Sequence, residues 1–245
     1  MTTQQNTMQT NPYQGETPQN YEQKCPVVMV LDVSGSMGFS SGDSDDTTLI
    51  PIDEVNAGLK SFAQDVSADD IASNRLELCI ISFGCDTRLE QDFELIKHIE
   101  MPVLKTRGST ALVDAMHSAI ERLEQRKQYY RSSTQQYYRP YIILITDGYP
   151  NGDQDIKGLA QRIRQDAEDK KYNFWPIGVT GADMEMLSNL ACPGKGASLP
   201  AMKLTGSNFA KLFKYLSSSF VKISNSRDEE NIDLTPEQNL FQVKV

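Results

Sequence analysis

The stretch Val27-Val28-Met29-Val30-Leu31-Asp32-Val33-Ser34-Gly35-Ser36-Met37 decides how the rest of the chain reads. It begins as an unbroken aliphatic and β-branched run, the pattern of a strand buried on both faces of a parallel sheet. It then turns polar at alternate positions, Asp32, Ser34 and Ser36. A carboxylate and two hydroxyls just past a buried strand form an oxygen-rich cluster at the strand's carboxyl end, where ligands bind in open α/β sheets. With no thiolate or imidazole on offer, such a cluster suits a hard cation, Mg²⁺ rather than Zn²⁺. The competing reading is a plain turn, since Ser, Gly and Asp collect in loops for backbone reasons alone.

Outward from this stretch the chain alternates strands and helices. Residues 38–51 read as an exposed acidic loop carrying Asp43, Asp45 and Asp46, longer than a usual βα connection. Val55, Leu59, Phe62, Ala63 and Val66 then recur at helical spacing, with Asp53 and Glu54 in the first turn, where the helix dipole favours acid. Leu76–Phe83 reads as a second strand and Glu90–Ile96 as an edge strand. The turn Thr106-Arg107-Gly108-Ser109-Thr110 leads into a helix with Leu112, Ala115, Met116, Ala119, Ile120 and Leu123 on its buried face; the polar stretch 125–136 closes it. A second buried run, Tyr141-Ile142-Ile143-Leu144-Ile145, also ends in an acid, Thr146-Asp147-Gly148. Helix 156–163, strand 174–179, short helix 183–190, strand 201–204 and a last helix on Phe209, Leu212, Phe213, Leu216, Phe220 and Ile223 complete the alternation.

Strands and helices interleaved in this way form right-handed βαβ units. The expected class is therefore α/β: a Rossmann-like, doubly wound, mostly parallel central sheet with helices on both faces. If the two most apolar strands neighbour each other in that sheet, Asp32 and Asp147 meet at one carboxyl edge.

A chain of 245 residues suffices for one large α/β domain. Residues 1–24, rich in Gln, Asn, Thr and Pro, read as a flexible polar tail. Residues 25–223 form the domain, and 224–245 an acidic tail whose last residues, from Phe241, could add an edge strand. The net charge of -9 argues against non-specific binding to nucleic acid or anionic membrane. Arg122, Arg126, Lys127, Arg131 and Arg139 form a locally basic stretch, read first as a solvated helix face; the Tyr/Arg-rich segment 129–139 is a candidate partner surface. Cys25, Cys79, Cys85 and Cys192 lack metal-type or framework spacing and read as free thiols. With neither a signal-peptide pattern nor an apolar run near the roughly 20 residues of a membrane span, the expected location is the cytoplasm.

Taken singly, Thr110 reads as a helix N-cap and Asp147 as a turn residue. Asp114 and Asp153 are better explained by the helix dipole and a turn, and His98 and His117 stand alone. In order along the chain, however, Asp32-x-Ser34-x-Ser36, the helix entrance at Thr110 and Thr146-Asp147-Gly148 together resemble the von Willebrand factor A domain and its metal-ion-dependent adhesion site. All five positions of that motif, Asp32, Ser34, Ser36, Thr110 and Asp147, match. The resemblance implies Mg²⁺, with Mn²⁺ or Ca²⁺ as alternatives, touched directly by Ser34 and Ser36 and reached by Thr110 directly or through water. In it Asp32 and Asp147 act through water, leaving the ion open to a carboxylate from a protein partner, while Asp43, Asp45 and Asp46 belong to the rim that partner meets.

The segments 123–131, 137–140, 178–184 and 216–224 are similar to the bacterial TerY-type subgroup, which is associated with tellurium resistance and stress response. This implies a phosphatase or kinase of such a system among the candidate partners. The acidic loop 39–48 is longer than that subgroup leads one to expect. The competing enzyme reading is a Mg²⁺-dependent phosphatase or phosphotransferase with Asp32 as nucleophile. Haloacid-dehalogenase-type enzymes want a second acid two residues on, where this chain has Ser34. No glycine-rich phosphate loop accompanies Gly35 or Gly38.

Overall fold

The structure is a computed structural model and describes residues 11–39, 50–150, 152, 154–193, 198–206, 208–227, 232, 234 and 240–243. Strand β1 (Cys25–Asp32) is buried at all eight positions, as its apolar run requires. Parallel neighbours β2 (Leu76–Phe83) and β4 (Tyr141–Thr146) flank it, and β5 (Asn173–Gly178) and β6 (Met202–Leu204) continue the parallel sheet. Antiparallel strands β3 (Thr87–Leu95) and β7 (Phe241–Val243) close the two edges. Among the described residues the sheet has seven strands, in the order β3-β2-β1-β4-β5-β6-β7.

The period-two alternation of β1 divides the core between the two faces. Val27, Met29 and Leu31 pack with α1 (Pro51–Ser67) and α6 (Phe209–Asn225) through Leu59, Phe62, Phe213 and Phe220. Val28 and Val30 face α3 (Leu112–Ser132), α4 (Ile156–Glu168) and α5 (Met184–Leu190). The expected doubly wound α/β architecture is what forms.

Several local expectations differ from the outcome. A one-and-a-half-turn helix, α2 (Asp70–Arg75), precedes β2; the Asp69 carboxylate caps it by accepting from the Ile71 and Ala72 amides at 3.1 and 2.8 Å. Helix α3 runs through the polar stretch expected to close it, because two of its basic residues are not solvated. Arg126, 5% exposed, is sandwiched among aromatic rings and ion-paired through Nε to Glu77 at 2.8 Å; Lys127 pairs with Glu124 at 2.7 Å. Tyr129 and Tyr130 are buried with Arg126, so that part of the candidate partner surface is interior.

The N-terminal segment differs most from its composition. Tyr13 is 3% exposed, with its ring against Phe93, Tyr129 and the Arg126 guanidinium. The Lys24 backbone bonds to Gln136 and Tyr138 at 2.9 and 2.8 Å. Residues 11–24 are therefore seated on the domain; residues 1–10 lie outside the described set. At the other end, Leu240 is buried and leads into β7, and the Tyr215 hydroxyl donates to the Leu234 carbonyl at 2.8 Å.

Candidate metal centre

Register brings the two acidic strand ends together. Leu31 of β1 pairs with Ile145 of β4, so Asp32 stands level with Thr146 and Asp147 lies just beyond. Asp32 is 1% exposed. Its Oδ2 accepts from the Thr146 hydroxyl at 2.5 Å and its Oδ1 from the Ser34 amide at 2.8 Å. The Ser34 and Ser36 hydroxyls lie 3.0 Å apart, and Ser36 donates to Asp147 Oδ1 at 2.9 Å.

The third segment is fastened to the first by its backbone. Arg107 N–H donates to the Val33 carbonyl at 2.6 Å, and Gly35 N–H to the Gly108 carbonyl at 2.7 Å. The β2–β3 turn joins in, with Cys85 N–H donating to the Arg107 carbonyl at 3.0 Å and Ala111 N–H to the Gly84 carbonyl at 2.9 Å. A Cβ on Gly84 would lie 2.0 Å from that Arg107 carbonyl oxygen, so only glycine lets the β2–β3 turn approach this loop so closely. The Arg107 side chain reaches Asp86, Glu90 and Ser82 at 2.8, 3.3 and 2.9 Å. Thr110 is buried but does not cap α3: Ala111 holds that position, with no side-chain capping bond. The Gly148 backbone passes between the Asp32 carboxylate and the Thr110 hydroxyl, each 3.2 Å from where its Cβ would stand.

All five residues line or underlie one cleft of about 710 Å³ at the carboxyl edge of the sheet. Phe39 and Tyr149 stand on its rim, 75% and 67% exposed. The 3.0 Å spacing of the Ser34 and Ser36 hydroxyl oxygens fits a hard cation, because neighbouring ligands of an octahedral ion with bonds near 2.1 Å are about 3 Å apart. Among the described residues no three His, Cys, Asp or Glu side chains cluster. A cation here would thus rest on Ser34, Ser36, Thr110 and two carboxylates. Burial raises the pKa of Asp32 against the hydrogen bonds from Thr146 and Ser34. Burial first, and then the Asp32 charge, push Asp147 up to about 6. A cation beside both carboxylates would oppose both causes.

Asp43, Asp45, Asp46 and Asp153 lie outside the described residues. Asp114 is exposed in the first turn of α3, and His98 and His117 are exposed away from the cleft. Thr146 and Arg107, which support the site from beneath and beside it, carried no local signal. Their partners arrive from other strands.

The profile of the von Willebrand factor type A domain matches residues 27–214. No curated protein matches the chain. Among solved structures, the vWF domain of the type V pili tip protein Mfa5 from Porphyromonas gingivalis is 14% identical with a TM-score of 0.54, covering 86% of this chain and 99% of that one. The PilB minor pilin from Streptococcus sanguinis is 13% identical with a TM-score of 0.53, covering 85% of this chain and 63% of that one. Proximal thread matrix protein 1 from the mussel byssus, in a form with a zinc-occupied MIDAS motif, is 14% identical with a TM-score of 0.51; the match covers 81% of this chain and 46% of that one. The chain thus spans less than two thirds of the pilin and about half of the byssus protein. These likenesses carry the fold. The profile match over most of its length shows that the chain belongs to the von Willebrand factor type A domain family.

Proposed function

We propose that the protein is a non-catalytic interaction module. It would hold Mg²⁺ through Ser34, Ser36 and Thr110, with Asp32 and Asp147 behind them, and present that ion to a carboxylate of a protein partner. The observation that carries this is the 3.0 Å spacing of Ser34 Oγ and Ser36 Oγ, about one octahedral edge, with Asp147 Oδ1 accepting from Ser36 behind them. Held by Ser34, Ser36 and Thr110, such an ion would supply an electrophile for an anionic oxygen of the partner. Ser34, Ser36 and Thr110 bring no charge to oppose that oxygen, and the exposed Phe39 and Tyr149 give the partner apolar surface beside it. The acidic sequence Asp43, Asp45 and Asp46, outside the described residues, is proposed to meet basic residues of the partner.

The phosphotransferase reading is weaker. Asp32 is buried with both oxygens already accepting hydrogen bonds, and a nucleophile has to be reachable. The similarity of 123–131, 137–140, 178–184 and 216–224 to the TerY-type subgroup supports a role in a bacterial tellurium-resistance or stress-response system, with a phosphatase or kinase of that system as partner. The four free cysteines, three of them buried, support a reducing compartment, the cytoplasm. No helix among the described residues is long and apolar enough to cross a membrane.

The test is thermal. Mg²⁺ raises the melting temperature of the wild type by mass action and EDTA reverses the rise, while folded Asp32→Ala shows no rise. Hydrolysis of p-nitrophenyl phosphate stays at background throughout. A Mg²⁺ response that survives in Asp32→Ala overturns the site, and turnover that vanishes in Asp32→Asn overturns the non-catalytic reading.

A further inference from the structure

We propose that Gln154 is a positioning residue for the cation site, clamping the segment that carries Thr110; this rests on the cation reading above. Its side-chain amide makes two bonds to one short stretch of chain, 44 and 41 residues away. Nε2 donates to the Thr110 carbonyl at 2.6 Å, and Oε1 accepts from the Val113 amide at 2.8 Å. Val113 is the second residue of α3, whose cap residue Ala111 supplies no side-chain bond. Gln154 therefore serves an orphan donor of that helix from outside.

The backbone of Gln154 is itself fixed. Its carbonyl accepts from the Ile156 amide at 2.9 Å. The next residue, Asp155, caps α4 by accepting from the Gly158 amide at 2.8 Å. The amide thus ties the Thr110 segment to the β4–α4 connection, the same connection that opens with Asp147. Ser34 and Ser36 follow directly from β1, and Asp147 from β4. Thr110 sits on a loop between backbone bonds at Gly108 and Ala111, and the Gln154 amide adds a bond at its own carbonyl. Mg²⁺ demands near-ideal octahedral geometry, so a small displacement of one hydroxyl lowers affinity. Loss of a residue that orients a metal ligand typically weakens binding about 10- to 100-fold.

Two variants separate the two bonds. Gln154→Met removes both. Gln154→Glu keeps an acceptor for the Val113 amide, and its charge suits a helix N-terminus, yet it has no N–H to offer the Thr110 carbonyl at neutral pH. Mn²⁺ affinity is read by electron paramagnetic resonance titration, and the melting temperature is read in EDTA. Gln154→Met is expected to lower both. Gln154→Glu is expected to restore the melting temperature and still bind Mn²⁺ about tenfold more weakly than wild type or worse. Its added negative charge attracts a cation, so the charge acting on the ion directly would raise affinity and does not account for that loss.

If Gln154→Glu restores affinity along with melting temperature, Gln154 is only a helix cap and the proposal falls. It falls equally if both variants bind as wild type does. A wild type that binds no Mn²⁺, or an Asp32→Ala that binds it undiminished, overturns the cation reading itself and this proposal with it.

Discussion

Asp32 is held from two directions, by the Ser34 amide at Oδ1 and the Thr146 hydroxyl at Oδ2, while burial opposes its charge. Thr146 is wholly buried and also accepts from the Gly148 amide at 3.2 Å. Its hydroxyl therefore joins β1, β4 and the turn that carries Asp147. Thr146→Val keeps the shape and removes the donor. Because the lost bond ends on a carboxylate, the expected cost is about 1.5–3 kcal/mol, read by urea unfolding in EDTA. A cost under about 0.5 kcal/mol would mean that Asp32 finds its support elsewhere. At this scale the sequence was readable where partners are local: Asp32, Ser34 and Ser36 stand two residues apart and face one place. Thr146 and Arg107 were not readable as supports. Thr146 meets a partner 114 residues away through strand register, and Arg107 meets Ser82, Asp86 and Glu90 across a hairpin.

The elements that a periodic pattern marks were legible, and those that depend on distant partners were not. Helix α3 passes through Gln125, Arg126, Lys127 and Gln128, which look like a helix end on paper. Glu77 of β2 and Glu16 of the N-terminal segment neutralise Arg126, and three tyrosines and Phe93 surround it. A buried charge of this kind persists only with such partners. Helix α2 was missed because six residues are too short for a period, although its cap, Asp69, is of the expected type. The Ala72 amide first, then Asn225 and the Ile71 amide, hold the Asp69 carboxyl below the usual carboxylate range against slight burial. Its folded pKa thus lies below the unfolded value of about 3.9. The stabilisation is fully present above that value and is lost as pH falls through the folded pKa. Asp69→Ala should cost about 1 kcal/mol at pH 7, and the difference from wild type should shrink as pH drops below about 4. A difference that persists unchanged at pH 2 would assign the cost to something other than the charged cap.

For the whole molecule, hydrophobic pattern decided the architecture. Two strand runs buried on both faces and separated by helices fit a parallel sheet, and the structure pairs them side by side, which brings Asp32 and Asp147 to one carboxyl edge. What composition misjudged is how far the folded unit extends. The Gln- and Pro-rich segment before β1 holds Tyr13, and one aromatic ring finds a seat on Phe93, Tyr129 and Arg126. Tyr13→Ala should therefore destabilise the domain by about 3 kcal/mol in urea unfolding, the scale of an aromatic deletion in a core. A change within about 0.5 kcal/mol would return the segment to the status of a tail. In the proposed function three chain segments, ending at Ser36, Thr110 and Asp147, converge on one divalent ion. Crystals grown with MnCl₂ and measured at a wavelength where manganese scatters anomalously test this directly. The predicted result is an anomalous peak in the cleft in contact with Ser34 Oγ and Ser36 Oγ, and its absence from crystals of Ser34→Ala/Ser36→Ala. A map with no peak there, or with its strongest peak on another part of the surface, would contradict the claim.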